Sequence, residues 1–313
     1  MAEQSLMLLD TASLYFRAFF GVPDSVRAPD GTPVNAVRGL MDFISRLVTQ
    51  YGPTHLACCW DNDWRPQWRV DLVPSYKAHR VVEETPDASP DVEEVPDPLQ
   101  VQVPIILDVL AAYGIAVVGA EHMEADDVIG TLATGAGMPV DIVTGDRDLF
   151  QLVSDADRVR VLYTARGVGK HEVLTDEAVV AKYSVLPQQY ADFATMRGDS
   201  SDGLPGVAGV GEKTAASLLL KYGDLTGIVA AATDETSDMA PGPRRKILDA
   251  LDYLAVAPTV VAVVRDLDLG DPDLSLPSAP ADPAAVAALQ EQWGLGSSVE
   301  RLTEALGSAI SAQ

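Results

Sequence analysis

Four short runs, SLMLLD (5–10), THLACCWD (54–61), GIAVVGA (114–120) and PVDIVTGD (139–146), are rich in Val, Ile and Leu and bounded by turn residues. Between them lie stretches with helical apolar spacing, such as VNAVRGLMDFISRLVTQYG (34–52) and VPIILDVLAAYG (103–114). Strands that are apolar on both sides need cover on both faces, and intervening helices supply it. The pattern therefore predicts an α/β chain, with a mostly parallel central sheet and helices on both faces. Three of the four runs end in aspartate, at Asp10, Asp61 and Asp146. In open sheets of this kind, sites lie beyond the carboxyl ends of the strands.

The fourth run leads into HMEADDVIG, which crowds Glu124, Asp126 and Asp127 at the start of a helical pattern. Acids in a first helical turn complement the helix macrodipole by ~0.3–1 kcal/mol each. Against that, two unit charges about 4 Å apart repel by ~4 kcal/mol at a protein-like dielectric. Taken alone the run reads as a helix start; crowding of this kind is otherwise tolerated when something positive sits among the acids, whether a basic side chain, a helix N-terminus or a metal. The pairs Asp146 with Asp148 (TGDRDLFQLV) and Asp199 with Asp202 (RGDSSDGLPG) add to the set. Many hard oxygen donors without His or Cys select Mg²⁺ or Mn²⁺, and two such ions ~3.5–4 Å apart suit a phosphodiester. His55, His79, His122 and His171 are scattered, with no CxxC or HExxH, which argues against zinc. Cys58 and Cys59 are neighbours in an apolar run, so their side chains are expected on opposite faces as unbridged, buried thiols of a reducing compartment.

Elsewhere, RVRVLYTARGVGKHEVL (158–174) reads as a hairpin at the sheet edge. Residues 81–98 carry seven acids, no base and four prolines, the composition of a mobile excursion above the sheet. From about 186 to 265 the pattern is helical with Gly-rich turns; 269–283 is a linker, and 284–307 is an amphipathic helical pair expected to pack back on the body. No basic n-region or long apolar run is visible, so neither signal peptide nor membrane span is expected and the reading is cytoplasmic. The formal net charge of −24 speaks against a nucleic-acid partner, an objection that local basic groups must answer.

LLDTASLYFRAFFG, WRPQWRVDLVPSYKAHR, MEADDVIGTLA, TGDRDLFQL and GDSSDGLPGVAGVGEKTAASLL occur in this order. In these five motifs, spanning most of its length, the chain resembles the bacterial flap endonuclease/5′–3′ exonuclease family, stand-alone relatives of the 5′-nuclease domain of DNA polymerase I. The resemblance implies three parts. Residues 1–185 would be the PIN-like catalytic domain with an arch region near 77–103. Residues 186–265 would be a helix-hairpin-helix DNA-binding domain, and 266–313 a linker and C-terminal helices.

It further implies two neighbouring metal groups, Asp10, Asp61, Glu124 and Asp126 in one, Asp127, Asp146, Asp148, Asp199 and Asp202 in the other. Lys77 and Arg80 would approach the scissile phosphate. Phe16 would stack on the terminal base, with Arg17 and Arg69 near phosphates. Gly209, Gly211, Lys213 and Thr214 would meet duplex backbone, Gly211 by close approach in a positive-φ conformation, and PRRK (243–246) is a second basic spot. Two departures stand out. Gly203 replaces a common Asn, a change expected to loosen the turn at Asp202, and 81–95 looks like an acidic insertion beside a usually basic arch.

The implied activity is divalent-metal-assisted hydrolysis of 5′ flaps and DNA 5′ ends in replication and repair, including Okazaki fragments. The implied partners are flap, nicked or gapped DNA, with the chain a monomer coupled to polymerase and ligase. The alternatives are a non-catalytic DNA-structure binder with vestigial acids, and a compact RNA-cutting nuclease. The latter folds lack the element at 199–223, and a complete set of nine acids disfavours the former. Trp64 and Trp68, at helical spacing, are read as core.

Overall fold

The computed structural model describes residues 4–83 and 91–311. In chain order the strands are β1 (Leu6–Asp10), β2 (His55–Trp60), β3 (Val81–Glu83), β4 (Val92–Glu93), β5 (Ala116–Gly119), β6 (Val140–Thr144), β7 (Val159–Tyr163) and β8 (Glu172–Leu174). Strands β3 and β4 pair only with each other; the other six form one sheet in the order β5-β2-β1-β6-β7-β8. Pairing is parallel from β5 to β7, and β8 closes the edge antiparallel to β7. The chain winds outward from β1 through β2 to β5, then crosses back to lay β6 on the other side of β1. This reversal opens a crevice at the carboxyl ends of β1 and β6, where an open α/β sheet places its ligand.

Both faces are covered, as the apolar runs require. Leu8, Cys59, Ile142 and Val161 point to one side and pack with Val128 and Ile129 of the helix Ala125–Ala133. Met7, Leu9, Cys58 and Val143 point to the other, against Leu40 and Ile44 of the helix Asn35–Tyr51 and Ile106 of the helix Val103–Tyr113. The two cysteines thus belong to different sides of the sheet, buried and free.

Several expectations are refined. Only Asp10 lies within a strand; Asp61 directly follows β2, and Asp146 lies beyond the end of β6, in the turn after Thr144. The acidic stretch 81–98 is not wholly an excursion: residues 84–90 lie outside the described residues, but β3 and β4 flank them as an antiparallel ribbon. Arg65 pins this ribbon through an ion pair to Asp91 at 2.5 Å, and Trp64 Nε1 donates to the Asp91 carbonyl at 2.7 Å. The linker is tied as well, since Leu56 donates to Leu274 at 2.8 Å and Leu276 to Thr54 at 2.9 Å. Helices Pro283–Trp293 and Ser297–Ser311 pack back, Leu302 and Leu306 joining the cluster of Leu40 and Ile44. Arg301 forks onto Asp42 at 2.7 and 2.8 Å. Among the described residues no single helix is long and apolar enough to cross a membrane.

The helix Thr11–Gly21 leaves β1 without a loop and crosses the helix Asn35–Tyr51 at Gly39, where an added Cβ would lie 2.6 Å from Ala18 Cβ. Replacing a helix-interior glycine with alanine gains ~0.5–1 kcal/mol of propensity, while overpacking costs ~1–3 kcal/mol. Packing should win. Gly39→Ala is expected to lower stability by about 1 kcal/mol in urea unfolding, whereas Gly242→Ala, with open space around it, should not. Equal stabilisation by both would show that the two helices are not in close contact.

Candidate active site

The carboxyl ends of β1, β2 and β6 open into a cleft of about 1170 Å³ that Asp10, Asp61, Glu124, Asp126 and Asp146 all line. Local structure fixes each of them. Asp10 caps the helix Thr11–Gly21, accepting from Ser13 N at 3.2 Å, and accepts from Thr144 Oγ1 at 2.6 Å across the sheet. Asp61 accepts from Ala125 N at 2.7 Å, so its carboxylate sits at the start of the helix Ala125–Ala133. Asp146 takes the Asp148 N–H at 2.8 Å. A small void of about 10 Å³ beneath is lined by Glu124, Asp126, Asp148 and Asp202.

Burial and like charge act together on this set. Burial pushes the Asp10 carboxyl up to about 7, aided by Asp61 and Asp146 and opposed by the Thr144 hydrogen bond. Asp126 and Asp148 are raised well above the usual range, by burial and then by Asp146. Asp61 and Asp202 are raised in the same direction, by burial first. Asp199 differs: burial pushes it up, but hydrogen bonds from Ser201 and the charges of Arg197 and Arg147 hold it below its usual value.

Among the described residues, no three acidic, His or Cys side chains stand closed around one point as a ready cation cage. Basic side chains hold part of the set instead. Lys77 Nζ reaches Glu124 Oε2 at 2.5 Å, Tyr76 donates to Glu124 Oε1 at 2.8 Å, and Arg69 Nη1 stands 3.3 Å from the same oxygen. Arg80 pairs with Asp202 at 3.2 Å, and Arg147 and Arg197 with Asp199 at 3.3 and 3.1 Å. The positive group that the EADD run demands is therefore a lysine and an arginine. Asp126 has no hydrogen-bond partner among the described residues, and one buried oxygen of Asp148 has none either. The partnerless Asp148 oxygen and the open Asp126 carboxylate are hard donors, raised by burial and then by their neighbours' charge, and they fit divalent cations.

Two expected roles are corrected by this geometry. Asp127 is fully buried, its oxygens taken by Arg69 Nη1 and Nη2 at 2.8 and 2.7 Å and by Val264 N at 2.9 Å. It has nothing left to offer an ion. Arg69 is 2% exposed and also donates to the Val260 carbonyl at 3.1 Å, so it does not face the cleft. Asp146 lines the cleft with Asp10 and Asp61 rather than standing with Asp127. Asp199, paired with two arginines, is set apart from the raised carboxylates.

Phe16, Arg17, Lys77 and Arg80 do line the cleft, joined by Trp64, which is half-buried rather than core. Glu93 of β4 and Glu94 just after it make one rim acidic. Tyr76, one residue before Lys77 in the same motif, is a further member of the site through its bond to Glu124, and its only signal in the sequence is that position. Lys77 itself sits at φ +48, and its N–H donates to the Asp202 carbonyl at 2.9 Å. Gly203, expected to loosen that turn, tightens it: an added Cβ would lie 2.0 Å from the Ser75 carbonyl oxygen.

Beyond the turn, the helices Tyr190–Arg197 and Glu212–Tyr222 flank the hairpin. Positive φ falls at Gly206 and Gly209; Gly211, the N-cap of the second helix, is at φ −98, contrary to the positive φ expected, and has open space around it. Lys213 is exposed and Thr214 half-buried on the first turn of that helix. Lys246 of PRRK donates to the Gly209 carbonyl at 2.7 Å, which brings the second basic spot to the hairpin.

An acid-floored cleft at the carboxyl edge of a parallel sheet, beside a glycine hairpin between two helices, defines a phosphodiester-cleaving nuclease. Residues 5–184 match the 5′-3′ exonuclease N-terminal resolvase-like domain, and 185–283 the 5′-3′ exonuclease C-terminal SAM fold. The chain is 61% identical to a 5′-3′ exonuclease of Streptomyces coelicolor over 96% of its own length and 99% of that protein's. It is 52% identical to one of Mycobacterium tuberculosis, covering 96% and 97%. The crystal structure of T5 D15 protein co-crystallized with metal ions shares the fold, with a TM-score of 0.65 at 16% identity and 98% and 99% coverage. The chain belongs to the 5′-3′ exonuclease family.

Because Arg69 and Asp127 form a buried pair, removing one partner should cost ~3–5 kcal/mol. Arg69→Leu is expected to lose that much in urea unfolding at neutral pH. A loss under ~0.5 kcal/mol, the level of an ordinary surface change, would make Arg69 an exposed phosphate contact after all.

The raised carboxyls also set a pH dependence. Between the ordinary value of 3.8 and about 7, the folded chain keeps a proton on Asp10 that the unfolded chain has released. Stability from this group is full below that window and is lost as pH rises through it. In chelator, the Tm of the protein should fall from pH 5 to pH 8, and the Asp10→Asn variant should show a shallower fall. An unchanged slope in that variant would contradict the assignment.

Proposed function

We propose that this nuclease cleaves 5′ flaps and removes nucleotides from DNA 5′ ends, with two or more Mg²⁺ or Mn²⁺ ions at its acidic floor. The observation that carries the reading is the gathering of carboxylates, several of them raised by burial, at the floor of a cleft of about 1170 Å³. Asp10, Asp61, Asp126, Asp146, Asp148 and Asp202 would hold the ions, with Glu124 available once Lys77 moves. When bound, such ions supply Lewis acidity and neutralise charge on the phosphodiester.

The remaining roles fall to the chain itself. An ammonium has three donors, and Lys77 spends two on Glu124 and on the Trp64 carbonyl at 3.2 Å. The third is free for a phosphate oxygen, where it would stabilise charge that develops as the bond breaks. Arg80, partly exposed beside Asp202, would share that task. Phe16 offers a face on which a terminal base can stack whatever its identity. The hairpin at Gly206–Gly209, with Lys213 and the helix start at Gly211, presents backbone N–H groups and positive charge to a duplex phosphate. The parts beside the cleft would thus be a catalytic domain over 1–185, a DNA-binding domain over 186–265 and covering helices beyond. Cutting at a flap junction leaves a nick, the substrate a ligase needs, which fits a place behind a polymerase in replication and repair. The chain is taken to act as a monomer.

A labelled 5′-flap duplex incubated with Mn²⁺ should be cut near the junction, and chelator should abolish cutting. Asp146→Ala should lower the rate by orders of magnitude while the protein stays folded. Lys77→Ala should lose ~10²–10³ in single-turnover rate, the usual cost of one such donor, with a smaller effect on binding. Cleavage by Asp146→Ala at the parent rate would overturn the site.

A further inference from the structure

In a chain of net charge −24, a cation without an acidic partner is a notable object. Arg65, Arg69, Lys77, Arg80, Arg147, Arg160 and Arg301 all reach carboxylates. Arg27, Arg38, Lys170, Lys213, Arg244, Lys246 and Arg265 make no ion pair among the described residues; neither do Arg17 and Arg46, and exposed Arg166 meets Glu172 only at 4.0 Å. The last three stand around one short turn, residues 165–170, that joins β7 to β8. Arg17 Nη1 donates to the Ala165 carbonyl at 3.3 Å, and its Nε is buried without a partner. Arg46 packs on Gly169, where an added Cβ would lie 3.0 Å from its Nη1.

Glycine makes this arrangement possible. Gly167 holds φ +100 with open space where a side chain would be, and a Cβ at Gly145 would come within 3.1 Å of Arg17 Nη2. Arg17, Arg166, Gly167 and Gly169 line the same cleft as Asp10 and Asp146, on the wall formed by the β7–β8 turn; Phe43, one helical turn before Arg46, lines it too. Guanidinium groups present donor forks suited to phosphate oxygens, and a backbone turn without side chains lets a strand come close.

We propose that Arg17, Arg46 and Arg166, with the glycine turn at 167–169, form a second track for the nucleic-acid backbone, separate from the helix–hairpin–helix. The track runs from the acidic floor out along the β7–β8 turn and contacts phosphates remote from the cleaved bond. It rests on the DNA reading given under the proposed function.

The test uses the Arg46→Ala/Arg166→Ala double variant, both side chains being exposed and neither touching the carboxylates. Binding of the labelled flap duplex is titrated in Ca²⁺ at several salt concentrations, beside cleavage by the parent protein in Mn²⁺. Each lost phosphate contact should flatten the log–log salt slope by ~0.9, so a total near ~1.8 is expected, with affinity at least about tenfold weaker. Cleavage at saturating enzyme should keep its rate. A parent that cleaves flaps while the double variant keeps the parent's salt slope would overturn the second track alone. A parent that binds but does not cleave would overturn the nuclease reading and leave the track to be judged by the slope.

Discussion

Like charges forced together under burial govern this protein. The parallel sheet ends Asp10, Asp61 and Asp146 at one edge, and the helix at Ala125 delivers Glu124, Asp126 and Asp127 to the same place. Such a cluster can stand in a folded chain only if its repulsion is relieved, and relief comes from three sources. Arg69 and Lys77 neutralise Glu124 and Asp127, backbone and hydroxyl donors serve Asp10 and Asp61, and raised affinity for protons covers the rest. What remains, an unpartnered oxygen of Asp148 and the open carboxylate of Asp126, is what a divalent ion would take up. The basic residues next to the floor face the acids in the free protein and, in the function proposed above, would turn toward phosphate in a complex. Arg69 is the exception, because its fork is closed on Asp127.

Much of this was legible in the residues. The alternation of apolar strands and helices gave the sheet, because helical stretches between successive apolar runs are placed to cover both faces of parallel strands. The ordered acidic motifs gave the floor. Three things were not legible. Asp127 and Arg69 carry the same residue types as their functional neighbours, and only the side on which the helix buries Asp127 separates a buttress from a ligand. Gly211 and Gly206 are indistinguishable as letters, yet one is extended and the other left-handed. Gly203 read as a loosened turn, and only the closeness of the Ser75 carbonyl reveals that a side chain would not fit there.

The charge balance, which on its own spoke against nucleic acid, is answered locally. Acids outnumber bases about two to one, but many bases are spent on internal pairs, and several of the others stand at the cleft wall and the hairpin. A surface that repels the polyanion everywhere else lowers the affinity for undistinguished duplex. It leaves contact to those places where geometry and charge coincide.

The closing helix has a consequence for how the chain reaches its fold. Ser297–Ser311 covers the apolar side of the helix Asn35–Tyr51, and Arg301 meets Asp42 across 259 positions of sequence. Until that helix docks, Leu40, Ile44 and Leu47 lack part of their cover, although the sheet beneath them can already be paired. Contacts so distant along the chain form late and slowly. The cover of the helix Asn35–Tyr51 thus comes from the far end of the chain, and loss of that one docking would bare Leu40, Ile44 and Leu47 to water while the hydrogen bonds of the sheet beneath stayed paired.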